Sequence, residues 1–101
     1  MGNRLKLHEE FKNILGSSNV YFQPPDGSSM NYPAILYSSA KMDRRMADNI
    51  VYSLLEAYTV TVIDENPDSE IPEKLLNMPY CRFERSFRTT GLNHYIFTLY
   101  Y

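Results

Sequence analysis

The chain has 101 residues, a formal net charge of −2, 44% hydrophobic residues and 22% charged ones. That length is the ordinary size of one domain, and the composition is too apolar and too weakly charged for a chain that stays disordered. The lack of a basic excess argues against a chain held as a whole on nucleic acid.

Leu7, Phe11, Ile14 and Leu15 recur at the spacing of one helix face, with Lys6, Glu9, Glu10 and Lys12 over much of the remainder, so a helix is predicted that stops at Gly16. Residues 20–23 read as a short extended segment. Pro24, Pro25, Asp26 and Gly27 follow as a turn, and two prolines without an N–H place this region at a sheet edge or in a loop. Residues 32–37 read as a strand, with Ala34 and Leu36 on one side and Ile35 and Tyr37 on the other. Residues 38–49 are polar and mixed, a predicted loop with room for a helical turn, and it includes Lys41, Arg44 and Arg45.

Residues 58–63 alternate and are β-branched, which predicts a strand. Residues 50–53 can also be strand, in which case they join residues 58–63 as one long bent strand, irregular at Glu56 and Ala57. Asp64, Glu65, Pro67 and Asp68 form an acidic turn. Asp68 or Ser69 can cap a second helix, which has Glu70 and Pro72 near its start, Ile71, Leu75 and Leu76 as its apolar stripe and Pro79 beyond its end. In the last segment Cys81, Phe83, Arg85 and Phe87 alternate with Arg82, Glu84 and Ser86. After Thr89, Thr90 and Gly91, Tyr95, Phe97, Leu99 and Tyr101 alternate with His94, Ile96, Thr98 and Tyr100. This is a predicted antiparallel hairpin. A chain ending on Tyr100 and Tyr101 suggests a strand paired or packed to its last residue. The fold class is therefore α+β, a mostly antiparallel β-sheet with two helices packed on one face, in a single domain over residues 1–101.

Catalytic chemistry has no foothold in this pattern. The four glycines are scattered, so no phosphate-cradling loop exists, and no glycine-flanked serine elbow is present. His8 and His94 read as a boundary residue and a hairpin residue. Cys81 has no nearby Cys or His, so neither a disulfide nor a metal site is expected and a buried inert thiol is the default. The acidic turn lacks the ligand spacing of a calcium loop. Residues 1–16 contain five charges and no apolar run, so no secretory signal is read there. No apolar stretch nears the roughly 20 residues of a membrane span, and a soluble protein made inside the cell is expected. No catalytic residue, cofactor, metal or membrane is expected.

The 9 Tyr and 5 Phe, without Trp, suit strands and half-wet interfaces. Tyr58, Tyr95 and Phe97 are expected to fill the core, and some of Tyr52, Tyr80, Tyr100 and Tyr101 to cover a subunit interface. Arg82, Arg85 and Arg88 amid Phe83 and Phe87 suggest a sheet that stacks single-stranded nucleic acid. Against that, strict alternation sends Arg82 and Arg85 to opposite faces.

Several runs together resemble the small tail-completion, or tail-terminator, proteins of long-tailed bacterial viruses. They are Leu7-His-Glu-Glu-Phe-Lys-Asn-Ile-Leu-Gly16, Asn19-Val-Tyr-Phe-Gln-Pro-Pro25, Met30-Asn-Tyr-Pro33, Tyr58-Thr-Val-Thr-Val-Ile-Asp64 with Pro67-Asp68-Ser69, and Asn93-His-Tyr-Ile-Phe-Thr-Leu-Tyr-Tyr101. The resemblance covers nearly the whole chain and carries no catalytic signature. It implies a virion protein of the tail or neck that forms a homo-oligomeric, hexameric ring. Such a ring ends tail-tube polymerisation and joins the tail to the head connector, with DNA crossing the lumen unread. Its partners would be itself, the tail-tube protein and head–tail connector proteins. A neighbouring head-closure protein of the neck is the alternative role, and a single-stranded nucleic-acid module a more distant one. Interface residues are expected in the protruding loops 24–30 and 41–49, at Pro25, Asp26, Met30, Lys41, Arg44 and Arg45, and at Tyr100 and Tyr101.

Overall fold

The structure is a computed structural model, and it describes residues 3–24, 29–40 and 56–101. Of the predicted loop 38–49, Ser38 and Ser39 instead continue the preceding strand, through ladder pairing with Thr59 and Tyr58; residues 41–49 and the proposed strand extension over 50–53 lie outside the described residues. In chain order the elements are helix α1 (Asn3–Leu15), strands β1 (Val20–Phe22), β2 (Ala34–Ser39) and β3 (Ala57–Asp64), helix α2 (Ile71–Leu76), and strands β4 (Cys81–Thr89) and β5 (Leu92–Tyr100). The five strands form one sheet in the order β1-β2-β3-β5-β4. Only β1 and β2 run parallel; β2–β3, β3–β5 and β4–β5 are antiparallel. The α+β architecture read from the sequence holds.

The core follows from strand parity. Ile35 pairs with Val62 and Tyr37 with Val60. Val60 pairs in turn with Phe97, and Tyr58 with Leu99. These side chains share one face, and Leu7 and Phe11 of α1 and Ile71 and Leu75 of α2 close over it in a single buried cluster. Both helices therefore cover the same side of the sheet. Tyr37 is the hub: Phe11, Phe22 and Tyr58 rings lie 5.0, 4.9 and 5.9 Å from it in edge or tilted contact. Tyr58 and Phe97 are buried as expected, while Tyr95 is half-buried at the margin.

The punctuation is local chemistry. Gly16, at φ +79°, ends α1 with its N–H donating to the Lys12 carbonyl at 2.8 Å, the left-handed stop that glycine adopts without a Cβ penalty. The start of α2 departs from expectation. Glu70 occupies the cap position with no side-chain cap bond, and Ser69 Oγ instead accepts from the Ile71 N–H at 3.3 Å. In the acidic turn, Asp64 Oδ1 accepts from the Asn66 N–H and Asn66 Oδ1 from the Asp68 N–H, so two of its polar groups tie the turn to itself. Ala57, expected at an irregular point, is the first residue of β3.

The largest correction falls in β4. Cys81 faces Leu99 and Phe83 faces Phe97, but Arg85 faces Ile96, which leaves Glu84 as an extra residue in a β-bulge. Beyond the bulge the parity inverts. Phe83 stays on the helix side, at 5.5 Å from Phe97, whereas Arg82, Arg85 and Phe87 all point to the opposite face. Arg82 and Arg85 thus share a face, contrary to the alternation. The bulge has a chemical reason: Glu84 Oε2 accepts from Arg82 Nε at 3.0 Å and from Thr98 Oγ1 at 2.8 Å.

Candidate interaction surfaces

Three places combine exposed chemistry with defined geometry. The first is the β4 edge. Residues 82–90 are all exposed, and Phe83 and Phe87 keep 44% and 43% of their surface in water on opposite faces of the strand. A long open edge is a template for another chain unless charges guard it, and here Arg82, Glu84, Arg85 and Arg88 do so. Phe87 stacks flat on His94, 4.7 Å between centroids at 9°, and the Arg85 guanidinium lies 5.7 Å from the Phe87 centroid. The Thr98 hydroxyl and the Arg82 guanidinium hold the Glu84 carboxyl below its ordinary range, so Arg82 is largely offset by its neighbour.

The second is a polar cluster where α1 crosses the sheet. His8 Nδ1 and the Tyr37 hydroxyl lie 2.7 Å apart, and the Arg4 guanidinium sits 4.3 Å over the Phe22 ring. Burial, reinforced by Lys12 and Arg4, lowers the His8 pKa. Burial raises the Tyr37 hydroxyl against the opposing pull of Arg4. Among the described residues no buried side-chain polar atom lacks a partner, as burial of polar groups requires.

The third is an open groove of about 370 Å³ between α1, the α2–β4 connection and the end of β5, lined by Lys6, Glu10, Met78, Pro79, Tyr80, Tyr100 and Tyr101. Tyr80, just before β4, sits at φ +59° and is 49% exposed. The Tyr101 hydroxyl donates to the Glu10 carboxylate, anchoring residue 101 to α1. Burial, and then Glu10, push the Tyr101 hydroxyl up to about 12. Nearby, burial pushes the Cys81 thiol up to about 11, far from a reactive thiolate.

Of the residues singled out from the sequence, Tyr100 and Tyr101 come together in this groove and Tyr80 joins them. Met30 lies half-buried ahead of β2. Pro25, Asp26, Lys41, Arg44 and Arg45 lie outside the described residues, as does Tyr52. Lys6, Glu10, Met78 and Pro79 were missed as groove residues. No spacing rule could have found them, because the Glu10–Tyr101 contact joins positions 91 apart in sequence. Among the described residues no three His, Cys, Asp or Glu side chains converge on a point that could hold a metal, and no helix is long and apolar enough to cross a membrane. The chain matches no protein-family model, no curated protein and no solved structure.

Proposed function

We propose that this chain is a structural virion protein of a long-tailed bacterial virus, of the tail-terminator or tail-completion type. In this role copies form a ring, in that family a hexamer, which ends tail-tube polymerisation and presents its other side to the head connector. The proposal starts from the sequence resemblance. The observation that carries it furthest is a sheet with two unlike edges: a three-residue uncharged edge at β1 and a nine-residue exposed edge at β4. A ring is built from heterologous contacts, which need two different patches on each subunit, and unlike edges supply them. The work of such a protein is docking. A net charge of −2 also suits a ring that DNA crosses without being gripped.

The test is assembly of tail-tube protein with and without this chain. Tubes that stop growing and carry a ring at one end are the expected result. Tubes that elongate unhindered overturn the terminator role; capture of the chain by head connector alone would assign it to the adjacent head-closure position.

One observation favours a second reading. The bulge gathers Arg82, Arg85 and Phe87 on the face away from the helices, which is the arrangement a single-strand binder needs. The Glu84 carboxylate bound to Arg82 weakens it. Salt-sensitive binding of single-stranded DNA, lost in Arg85→Ala, would support that reading.

A further inference from the structure

We propose that the β4 edge of one copy takes the β1 edge of a second copy as an antiparallel sixth strand, with Phe22 of the second copy opposite Phe83. This rests on the ring reading and names its subunit contact.

Backbone direction at the two edges comes first. Successive residues of a strand send their N–H and C=O groups to alternate sides. Around β1 the Asn19 carbonyl accepts from the Ile35 N–H at 3.0 Å, and the Gln23 N–H donates to the Tyr37 carbonyl at 2.9 Å. Asn19, Tyr21 and Gln23 therefore face β2, and Val20 and Phe22 turn their backbone groups to the outer edge. The Val20 N–H is taken by the Ser18 carbonyl, which leaves the Phe22 N–H and the Phe22 and Val20 carbonyls pointing outward. At the other edge, the Tyr100 N–H donates to the Tyr80 carbonyl on the β4 side, and the Tyr101 N–H to the Glu56 carbonyl on the β3 side. By the same alternation the backbone groups of Phe97 and Tyr95 face β3. Their β4 partners, Phe83 and Ser86, turn their N–H and C=O groups outward.

Register then matches one edge to the other. Phe22, Tyr37, Val60, Phe97 and Phe83 form one row across the sheet, and Val20, Ile35, Val62, Tyr95 and Ser86 another. A second copy set flush beside the first brings Phe22 opposite Phe83 and Val20 opposite Ser86, so outward groups meet outward groups. Its three β1 residues span the Glu84 bulge as Phe97, Ile96 and Tyr95 of β5 do. β1 and β4 run in opposite directions, so the join is antiparallel. Phe22 and Phe83 exchange both N–H···O=C bonds, and the Ser86 N–H donates to the Val20 carbonyl. The side chains agree. Phe22 and Phe83 both lie on the helix side, where the half-exposed Phe83 ring gains cover, and Tyr21 comes beside Arg85 on the other face. Charge selects the occupant. A second β4 would set three arginines from each copy along one seam, whereas β1 carries no charge and meets that edge without repulsion.

The test is disulfide trapping in the full chain. Within one copy Phe22 and Phe83 stand four strand spacings apart, about 19 Å, whereas a disulfide needs Cα atoms within about 7 Å. A Cys81→Ala chain with both Phe22→Cys and Phe83→Cys, oxidised on tail tubes, is expected to give a ladder of covalent oligomers. Either cysteine alone should give none. A covalent dimer from Phe83→Cys alone would mean that β4 pairs with β4, and overturns the proposal. Ser86→Pro gives a second reading, since it removes an outward N–H and spares the ladder to β5. Ring formation is expected to weaken roughly tenfold in Ser86→Pro and to hold in Ser86→Ala. Rings that form without the ladder and tolerate Ser86→Pro overturn this contact and leave the ring reading standing. Cross-linked copies that grow as open filaments, with tubes still lengthening, uphold the strand junction and overturn the ring reading instead.

Discussion

At the residue scale, two positions show how local chemistry sets stability. Gly16 ends α1 in the left-handed region, with nothing within 4 Å of where a Cβ would stand. Space is therefore not the constraint; backbone conformation is. Gly16→Ala should cost about 1 kcal/mol in urea denaturation. His8 gives a pH signature. Its pKa in the folded chain is depressed below the ordinary 6.5, first by burial, so the unfolded chain binds the proton more readily. This contribution to stability is full above the unfolded value and is lost as pH falls through the depressed folded value. Between about pH 8 and about pH 5, the range histidine titrates in, wild type should lose more stability than His8→Gln. Equal losses would mean the His8–Tyr37 contact is not coupled to folding.

At the element scale, α1, β2, β3 and β5 were legible because burial imposes periodicity. Leu7 and Phe11 keep helical spacing because α1 has one covered face. Val60 and Val62 alternate with Thr59 and Thr61 because β3 is packed on one side. The bulge was not legible. Inserting Glu84 leaves the alternation of Phe83, Arg85 and Phe87 intact as letters while inverting which face each meets, and the cause is a contact with Thr98 on the neighbouring strand. The parallel β1–β2 pairing was equally hidden, since three residues carry no direction. The inverted parity has a measurable consequence within one hairpin. Phe97, fully buried under the helices, should cost about 3–5 kcal/mol when changed to Ala. Phe87→Ala, on the exposed face, should stay within about 1 kcal/mol. Comparable losses from both would contradict the register of β4.

At the scale of the whole molecule, four exposed acids gather around one turn and three arginines line one edge of the sheet. Glu65, Asp68, Glu70 and Glu73 lie around the β3–α2 connection, and Arg82, Arg85 and Arg88 along β4. Among the described residues of the expected interface, Tyr80, Tyr100 and Tyr101 fall in one groove. The tyrosine-rich composition hinted at that cluster, but its other wall, Lys6 and Glu10, depends on how the first helix lies against residue 101. A small domain with a thin core, an open groove and two unlike edges is suited to assembly, and its quaternary state carries the central claim. The direct measurement is the mass of the purified chain by light scattering, alone and then with tail-tube protein. A mass near six subunits, in solution or only on tubes whose growth has stopped, is the predicted result. A single-chain mass in both conditions, with tubes still lengthening, would contradict it.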